Sequence, residues 1–211
     1  MESTEAKTEP RATSPRERIL EAAVEKARQI GLEGLSIATL AKEVGMSKAG
    51  LFAHFGSKEE LQLATLDAAL CGFMKRVITP ADQTERGLPR LHQVVMEWIA
   101  SIEEARDRGG CFFYEVAAEF DGRPGAVRDK LVAASERWLD WLLRQVTLAK
   151  ERGHFVPEVD AEQLAFELHA FGQQANWEAQ LLHREDAFAR ARRAIRERLM
   201  ALATEKGKAF L

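Results

Sequence analysis

The stretch from Ser36 to Phe55 constrains this chain more than any other. Leu40, Ala41 and Val44 give a short helix an apolar face, and Ala41 is small enough to let a second helix cross close by. Gly45 ends that helix, because the residue after a helix end commonly needs the left-handed backbone that only glycine adopts without steric cost; Met46 plugs the corner. Ser47 is placed to cap the next helix by accepting a bond from an orphan amide, and Leu51 and Phe55, four apart, turn back toward the first helix. Two short helices about a tight turn form a helix-turn-helix, whose second helix enters a DNA major groove. Lys48, Ala49, Gly50, Phe52 and Ala53 are left facing outward. An ordinary helical corner uses the same small residues and turn, so the flanks must decide.

Upstream, Ser14-Pro15-Arg16-Glu17 is a capping box with proline at the first helical position, and Ile19, Ala23, Ala27 and Ile30 form one stripe, so a helix is expected from Pro15 to Ile30. Downstream, Gly56 breaks the chain, and Ser57-Lys58-Glu59-Glu60 reads as a second capping box opening a helix to Ile78. Three helices then pack as one small unit.

With these flanks the chain resembles the TetR family of one-component bacterial repressors, through Arg18 to Ala23, Gly31 to Ser36, Met46-Ser47-Lys48, Leu51 to Phe55 and Ser57 to Leu61. Two positions depart from the pattern: Ala49 stands where the family often has glycine, and Phe52 where it usually has tyrosine, so Phe52 offers no hydroxyl to a phosphate. The resemblance implies an all-α, nine-helix fold: three helices bind DNA, a fourth links, and five make a regulatory and dimerisation body. Gly109 to Phe113 and Ala118 to Gly125 look like one regulatory-domain subgroup of that family.

The implied division is a disordered tail over residues 1–12, a DNA-binding domain over 13–58, and a ligand-binding and dimerisation domain over 59–211. The DNA-binding set is Ser36, Thr39, Ser47, Lys48, Ala49, Gly50, Phe52, His54 and Lys58, with Lys48 and Gly50 toward base edges and Ser36, Thr39, His54 and Lys58 toward phosphates. A net charge of −3 argues against indiscriminate polyanion binding, but Arg11, Arg16, Arg18, Lys42, Lys48 and Lys58 confine a basic face to one end.

Beyond residue 78 no strand pattern appears. A loop over Thr79 to Gly87 precedes a helix from Leu88 to Arg106, a short apolar one from Cys111 to Phe120, a long one to about Arg152, one capped by Asp160 and a last one capped by Asp186 that runs to about Lys206, followed by a mobile end. Gly172 in mid-helix costs about 1 kcal/mol against alanine and points to close approach of another helix. The resemblance implies a homodimer joined through the last two long helices, which makes Leu164, Leu168, Phe171, Gly172, Ala175, Ile195, Leu199 and Leu202 the expected interface. Aromatic residues concentrate in this body and read first as core. His169, Gln173 and Asn176 lie among them on adjacent turns, and a mostly apolar cavity with a few polar groups is what small-molecule sites look like. Trp98, Phe113, Trp138, Trp141, His169 and Gln173 are therefore the candidate lining of an effector site.

No nucleophile elbow, phosphate loop, dinucleotide fingerprint or metal-ligand histidine spacing occurs, so neither an enzyme, a metal site nor a cofactor is expected. No apolar run suits a bilayer and no signal-peptide core is present, which suggests a cytoplasmic protein without a membrane partner. Cys71 and Cys111 are expected as reduced thiols packed in a core. The expected function is a sequence-specific, homodimeric transcriptional repressor released from a double-stranded DNA operator by a small apolar or amphipathic effector. The alternative is a helical protein-interaction module with a vestigial helix-turn-helix.

Overall fold

The computed structural model describes residues 14–211; the expected tail over residues 1–12 and Arg11 lie outside them. Ten α-helices occur among the described residues: α1 Pro15–Ile30, α2 Ile37–Glu43, α3 Lys48–Phe55, α4 Lys58–Phe73, α5 Leu88–Glu104, α6 Phe112–Phe120, α7 Ala126–Glu151, α8 Ala161–Leu181, α9 Ala187–Leu202 and α10 Glu205–Lys208. There is no strand among them; one isolated antiparallel bridge pairs Phe155 with Ala203.

Local chemistry sets the helix starts. The Ser14 hydroxyl accepts from the Glu17 amide while the Ser14 amide donates to the Glu17 carboxylate, so α1 begins where the capping box predicts. Gly45 sits at φ 66° and the Met46 amide donates to the Ala41 carbonyl, closing the turn between α2 and α3. Ser57 caps α4 through the Glu60 amide, but the reciprocal half of the expected box is missing, because the Ser57 amide donates to the Phe55 carbonyl instead. Asp160 caps α8, whereas Asp186 has helical backbone angles and makes no cap bond at α9.

Two cores result. The first gathers Ile19, Ala23 and Ala27 of α1, Leu40 and Ala41 of α2, Leu51 and Phe55 of α3 and Leu61 and Leu66 of α4. It also takes in Phe112, Val116 and Phe120 of α6 and Val127 and Leu131 of α7, so α6 and α7 pack directly against the helix-turn-helix unit. The second core lies among α5, α7, α8 and α9 and includes Leu91, Val95, Trp98, Leu142, Leu168 and Leu199. After Phe73, α4 widens into a π-helical turn, Met74–Ile78, and tightens into a 3₁₀ turn, Thr79–Gln83, where a plain loop was expected.

The chain end also differs from expectation. A nine-helix chain with a mobile end after Lys206 was predicted; instead α9 stops at Leu202, and Thr204 caps a tenth helix that folds back onto the body. Gly207 is buried against the His154 carbonyl, which a Cβ there would meet at 2.0 Å, and Phe210 packs on the His154 ring at 5.0 Å. The contact partners lie some fifty residues apart in sequence, which periodicity does not register.

Candidate DNA-binding surface and effector cavity

The helix-turn-helix presents a surface whose two helix starts are capped by serine. Ser36 caps α2 by accepting from the Thr39 amide at 3.1 Å, and the Thr39 hydroxyl donates back to the Ser36 carbonyl. Ser47 caps α3 through the Gly50 amide at 3.0 Å. Lys48, Ala49, Phe52 and His54 are exposed on the outer side of α3, Phe52 to 55%, while Gly50 is half-buried beneath Met46 and the Ser47 hydroxyl. Lys42, Arg16 and Arg18 are exposed nearby, with the Arg16 guanidinium over the Phe55 ring. Lys58 differs from the others: its ammonium is 2.8 Å from Glu33, and that hydrogen bond, ahead of one from Gln62, holds the Glu33 carboxyl below its ordinary range.

The helical body that follows grips this unit from behind. The Glu119 carboxylate of α6 accepts from the amides of Leu32 and Glu33 at 2.7 and 3.2 Å, in the turn between α1 and α2. Arg28 of α1 donates to the Gly110 carbonyl and lies over the Phe112 ring. Lys130 of α7 pairs with Asp67 of α4 at 2.6 Å. A cavity of about 390 Å³ lies at this seam, between α1, α4, α5 and α6.

A second cavity, of about 420 Å³, opens among α4, α5, α6, α7 and α8, and Trp98, Phe113, Trp138, Trp141, His169 and Gln173 all line it. It shares Phe73, Trp98, Cys111 and Phe113 with the first cavity, so one wall serves both. Its aromatic rings are locked to each other: Trp98 stacks on His169 at 5.5 Å and 2°, Trp138 on Trp141 at 5.9 Å and 6°, and Phe73 stands edge-on to Trp138 at 5.3 Å.

The polar groups in this cavity have a fixed order. Trp138 Nε1 can only donate, and it does so to His169 Nδ1 at 3.1 Å, while burial lowers the His169 pKa from 6.5 and keeps the ring neutral. The one ring proton therefore sits on Nε2 and must itself be donated. The Gln173 amide lies 3.2 Å from that nitrogen, and its second polar atom is buried without a partner. The proton count thus turns the Gln173 carbonyl toward His169 and leaves its NH₂ buried beside the cavity without an acceptor. Asn176, expected beside these two, points elsewhere: its Oδ1 accepts from the Cys111 amide at 2.9 Å. Cys111 is buried, and burial raises its thiol pKa, but Cys71 is exposed, contrary to the expected core position.

The expected interface residues need correction. Leu164, Leu168, Gly172, Ala175, Ile195 and Leu199 are buried inside the single chain, and Phe171 and Leu202 are half-buried against the same core. Gly172 does mark a close approach, but of Trp98 in the same chain, whose ring a Cβ would meet at 2.4 Å. The most apolar stripe of a helix is the one its own body covers first. The opposite side of α8 carries a second stripe, Phe166, Ala170, Trp177 and Leu181, in which Phe166 and Leu181 are 66% and 61% exposed. Sequence periodicity finds the stronger stripe and passes over the weaker one.

Among the described residues no helix is long and apolar enough to cross a membrane, and no cluster of His, Cys, Asp and Glu is suited to a metal. The family model described as bacterial regulatory proteins of the tetR family matches residues 19–65, and the one described as the tetracyclin repressor-like C-terminal domain matches residues 87–195. No match occurs among curated proteins. Among solved structures, a TetR transcriptional regulator from Chloroflexus aurantiacus is 24% identical with a TM-score of 0.80, over 89% of this chain and 95% of its own. A putative transcriptional regulator from Saccharomonospora viridis, in complex with choline, is 22% identical with a TM-score of 0.77, over 90% and 98%. AibR, in complex with isovaleryl coenzyme A and operator DNA, is 21% identical with a TM-score of 0.67, over 89% and 98%.

Proposed function

The chain belongs to the TetR family of bacterial regulatory proteins, and we propose that it is a homodimeric repressor that leaves its operator when a small amphipathic molecule fills the aromatic cavity. One observation carries this reading: the cavity shares a wall with the seam through which α6 holds the α1–α2 turn. A molecule that displaces Phe113 or Phe73 also moves the support of the DNA-binding unit. AibR, solved with both an acyl coenzyme A and operator DNA, supports a shared scaffold for the two ligands.

On DNA, Lys48 reads base edges at the start of α3, where Gly50, its amide held by Ser47, puts no side chain in the way, flanked by Ser47, Ala49 and Phe52, while Ser36, Thr39, His54 and Lys58 hold phosphates. Lys58 does so by exchanging Glu33 for the DNA backbone. The dimer forms through α8 and α9, with the outward stripe of α8 in place of the buried one. Phe166, Trp177 and Leu181 give an apolar centre that an exposed surface rarely keeps without a partner. A two-fold dimer then sets two copies of α3 across successive major grooves.

The test is fluorescence anisotropy on the intergenic DNA flanking the protein's own gene. Specific retention over random DNA of equal length, at physiological salt, is expected, and Gln173→Trp, which fills the cavity, should keep it while abolishing release by any effector. Equal affinity for every flanking fragment and for random DNA would leave a helical interaction module as the better reading.

A further inference from the structure

We propose that the molecule taken by the aromatic cavity is an amphipath with an anionic head, its apolar body among the indoles and its charge on Arg137 and Arg144. The inference rests on the reading of this cavity as the effector site and adds the class of ligand. Arg137, Trp141 and Arg144 recur four and three residues apart on α7, which places them along one face, and all three line the cavity. Other arginines of the body are paired, Arg76 with Glu97 and Glu104, Arg192 with Glu103 and Arg198 with Glu167, or, like Arg86, Arg106, Arg193 and Arg196, stand away from this cavity. Arg137 and Arg144 have no ion pair among the described residues. Asp140, one turn from each, is exposed and takes no part in the lining, which contains no carboxylate.

The remaining polar groups point the same way. The Gln173 NH₂ is a donor without an acceptor, and the Tyr114 and Ser135 hydroxyls can donate as well. A site lined by donors and two guanidinium groups suits an acceptor-rich anion, which arginine's planar fork can hold through two parallel bonds. Aromatic walls also suit a quaternary ammonium. Here, however, one face each of Trp98, Trp138 and Trp141 is already stacked on a neighbouring ring, and two positive charges stand beside any cation that enters.

The experiment follows tryptophan fluorescence of the full chain as decanoate, decanol and decyltrimethylammonium are added, each below its aggregation concentration. Decanoate should bind about tenfold more tightly than decanol, the difference one charge-assisted hydrogen bond supplies, with the ammonium weakest. Arg137→Gln with Arg144→Gln should bring decanoate down to the level of decanol and leave decanol unchanged, while the corresponding lysine pair should keep a decanoate preference. Equal binding of decanoate and decanol, a tighter ammonium, an undiminished preference in the glutamine pair, or no binding of any of the three would each overturn the proposal. If the preference appears as expected but saturating decanoate leaves operator affinity unchanged, the anion site stands and the effector reading falls.

Discussion

The two ends of the molecule use polar side chains in opposite ways. In the DNA-binding unit the cap bonds run three residues along the chain, from Thr39 to Ser36, Gly50 to Ser47 and Glu60 to Ser57. In the body, beside local caps at Asp160 and Thr204, they also join distant parts of the chain: Trp138 to His169 and Cys111 to Asn176 at the cavity, and Leu88 to His154 beyond it. A unit whose geometry is set locally keeps its shape when its surroundings shift. A site assembled from helices far apart in sequence changes when any of them moves, and a ligand that binds one arrangement better selects it. The proposed repressor would draw on both kinds of construction, and in this chain they meet at α4 and α6.

The largest effect that could break this contrast concerns the two faces of α8. Leu168→Arg buries an unpaired charge where distant helices meet and should cost about 4 kcal/mol or more, enough to unfold the body. Phe166→Arg with Leu181→Arg, on the exposed stripe, should leave helix content and melting unchanged by circular dichroism while light scattering reports a monomer. If Leu168→Arg melts like the parent chain, the second core does not hold the body together. If the outer pair stays dimeric, the seam lies elsewhere.

Next in size is the reader itself. Lys48→Ala should cost about 1–3 kcal/mol on the operator and little on random DNA, as expected for a base contact. Because α3 is held by its own cap and by Leu51 and Phe55, Tm should not move. A loss shared equally by operator and random DNA would take Lys48 out of base readout.

How far the sequence was legible follows the same division. The start of α1, the Gly45 turn and the Ser47 cap came directly from residues because their causes lie within four positions. The six cavity-lining residues were also recoverable, since aromatic and polar side chains at helical spacing converge once helices pack. Arg137 and Arg144 were missed, because an unpaired arginine looks like any solvated charge until its carboxylate neighbours are known. Glu119 was missed for the same reason: its partners, the amides of Leu32 and Glu33, carry no side-chain signature. Leu164, Leu168, Ala175, Ile195 and Leu199, expected at an interface, are buried in the chain itself, because composition ranks faces by apolarity and cannot tell which face the chain's own body already covers.

A smaller effect separates the two ends by pH. His169, His154 and His92 all lie in the body, and burial is the leading cause that lowers each below its ordinary 6.5. The unfolded chain then binds protons that the folded chain refuses, so the stability these neutral rings provide is fully present above about pH 6.5 and is lost as pH falls through their lower folded values. Tm should drop by a few degrees between pH 7.5 and 5.5. His169→Gln should flatten part of that slope, and a Tm that rises on acidification would contradict the neutral His169 on which the Gln173 orientation depends.

The smallest effect tests whether the reader is as self-contained as its caps suggest. Glu33 touches both worlds: it pairs with Lys58 at 2.8 Å, and its own backbone amide is held by Glu119 of the regulatory helix. Both side chains of the pair are nearly half exposed, at 46% and 44%, so the bond should be worth only about 0.2–1 kcal/mol and its loss should barely change Tm. Its effect on DNA has the opposite sign. Glu33→Gln frees Lys58 for a phosphate and removes a negative charge from the binding face, so affinity for all DNA should rise by roughly twofold to tenfold, and the salt dependence should steepen by about one phosphate contact. Lys58→Ala should lower both. Combined with Glu33→Gln, it should cancel most of the gain, because the gain acts through that lysine. A rise in affinity that survives Lys58→Ala would mean that Glu33 repels DNA directly, and an operator-only change would mean that the α1–α2 turn sets the aim of α3, which would move the reader from the locally determined half of the molecule into the half that the regulatory body controls.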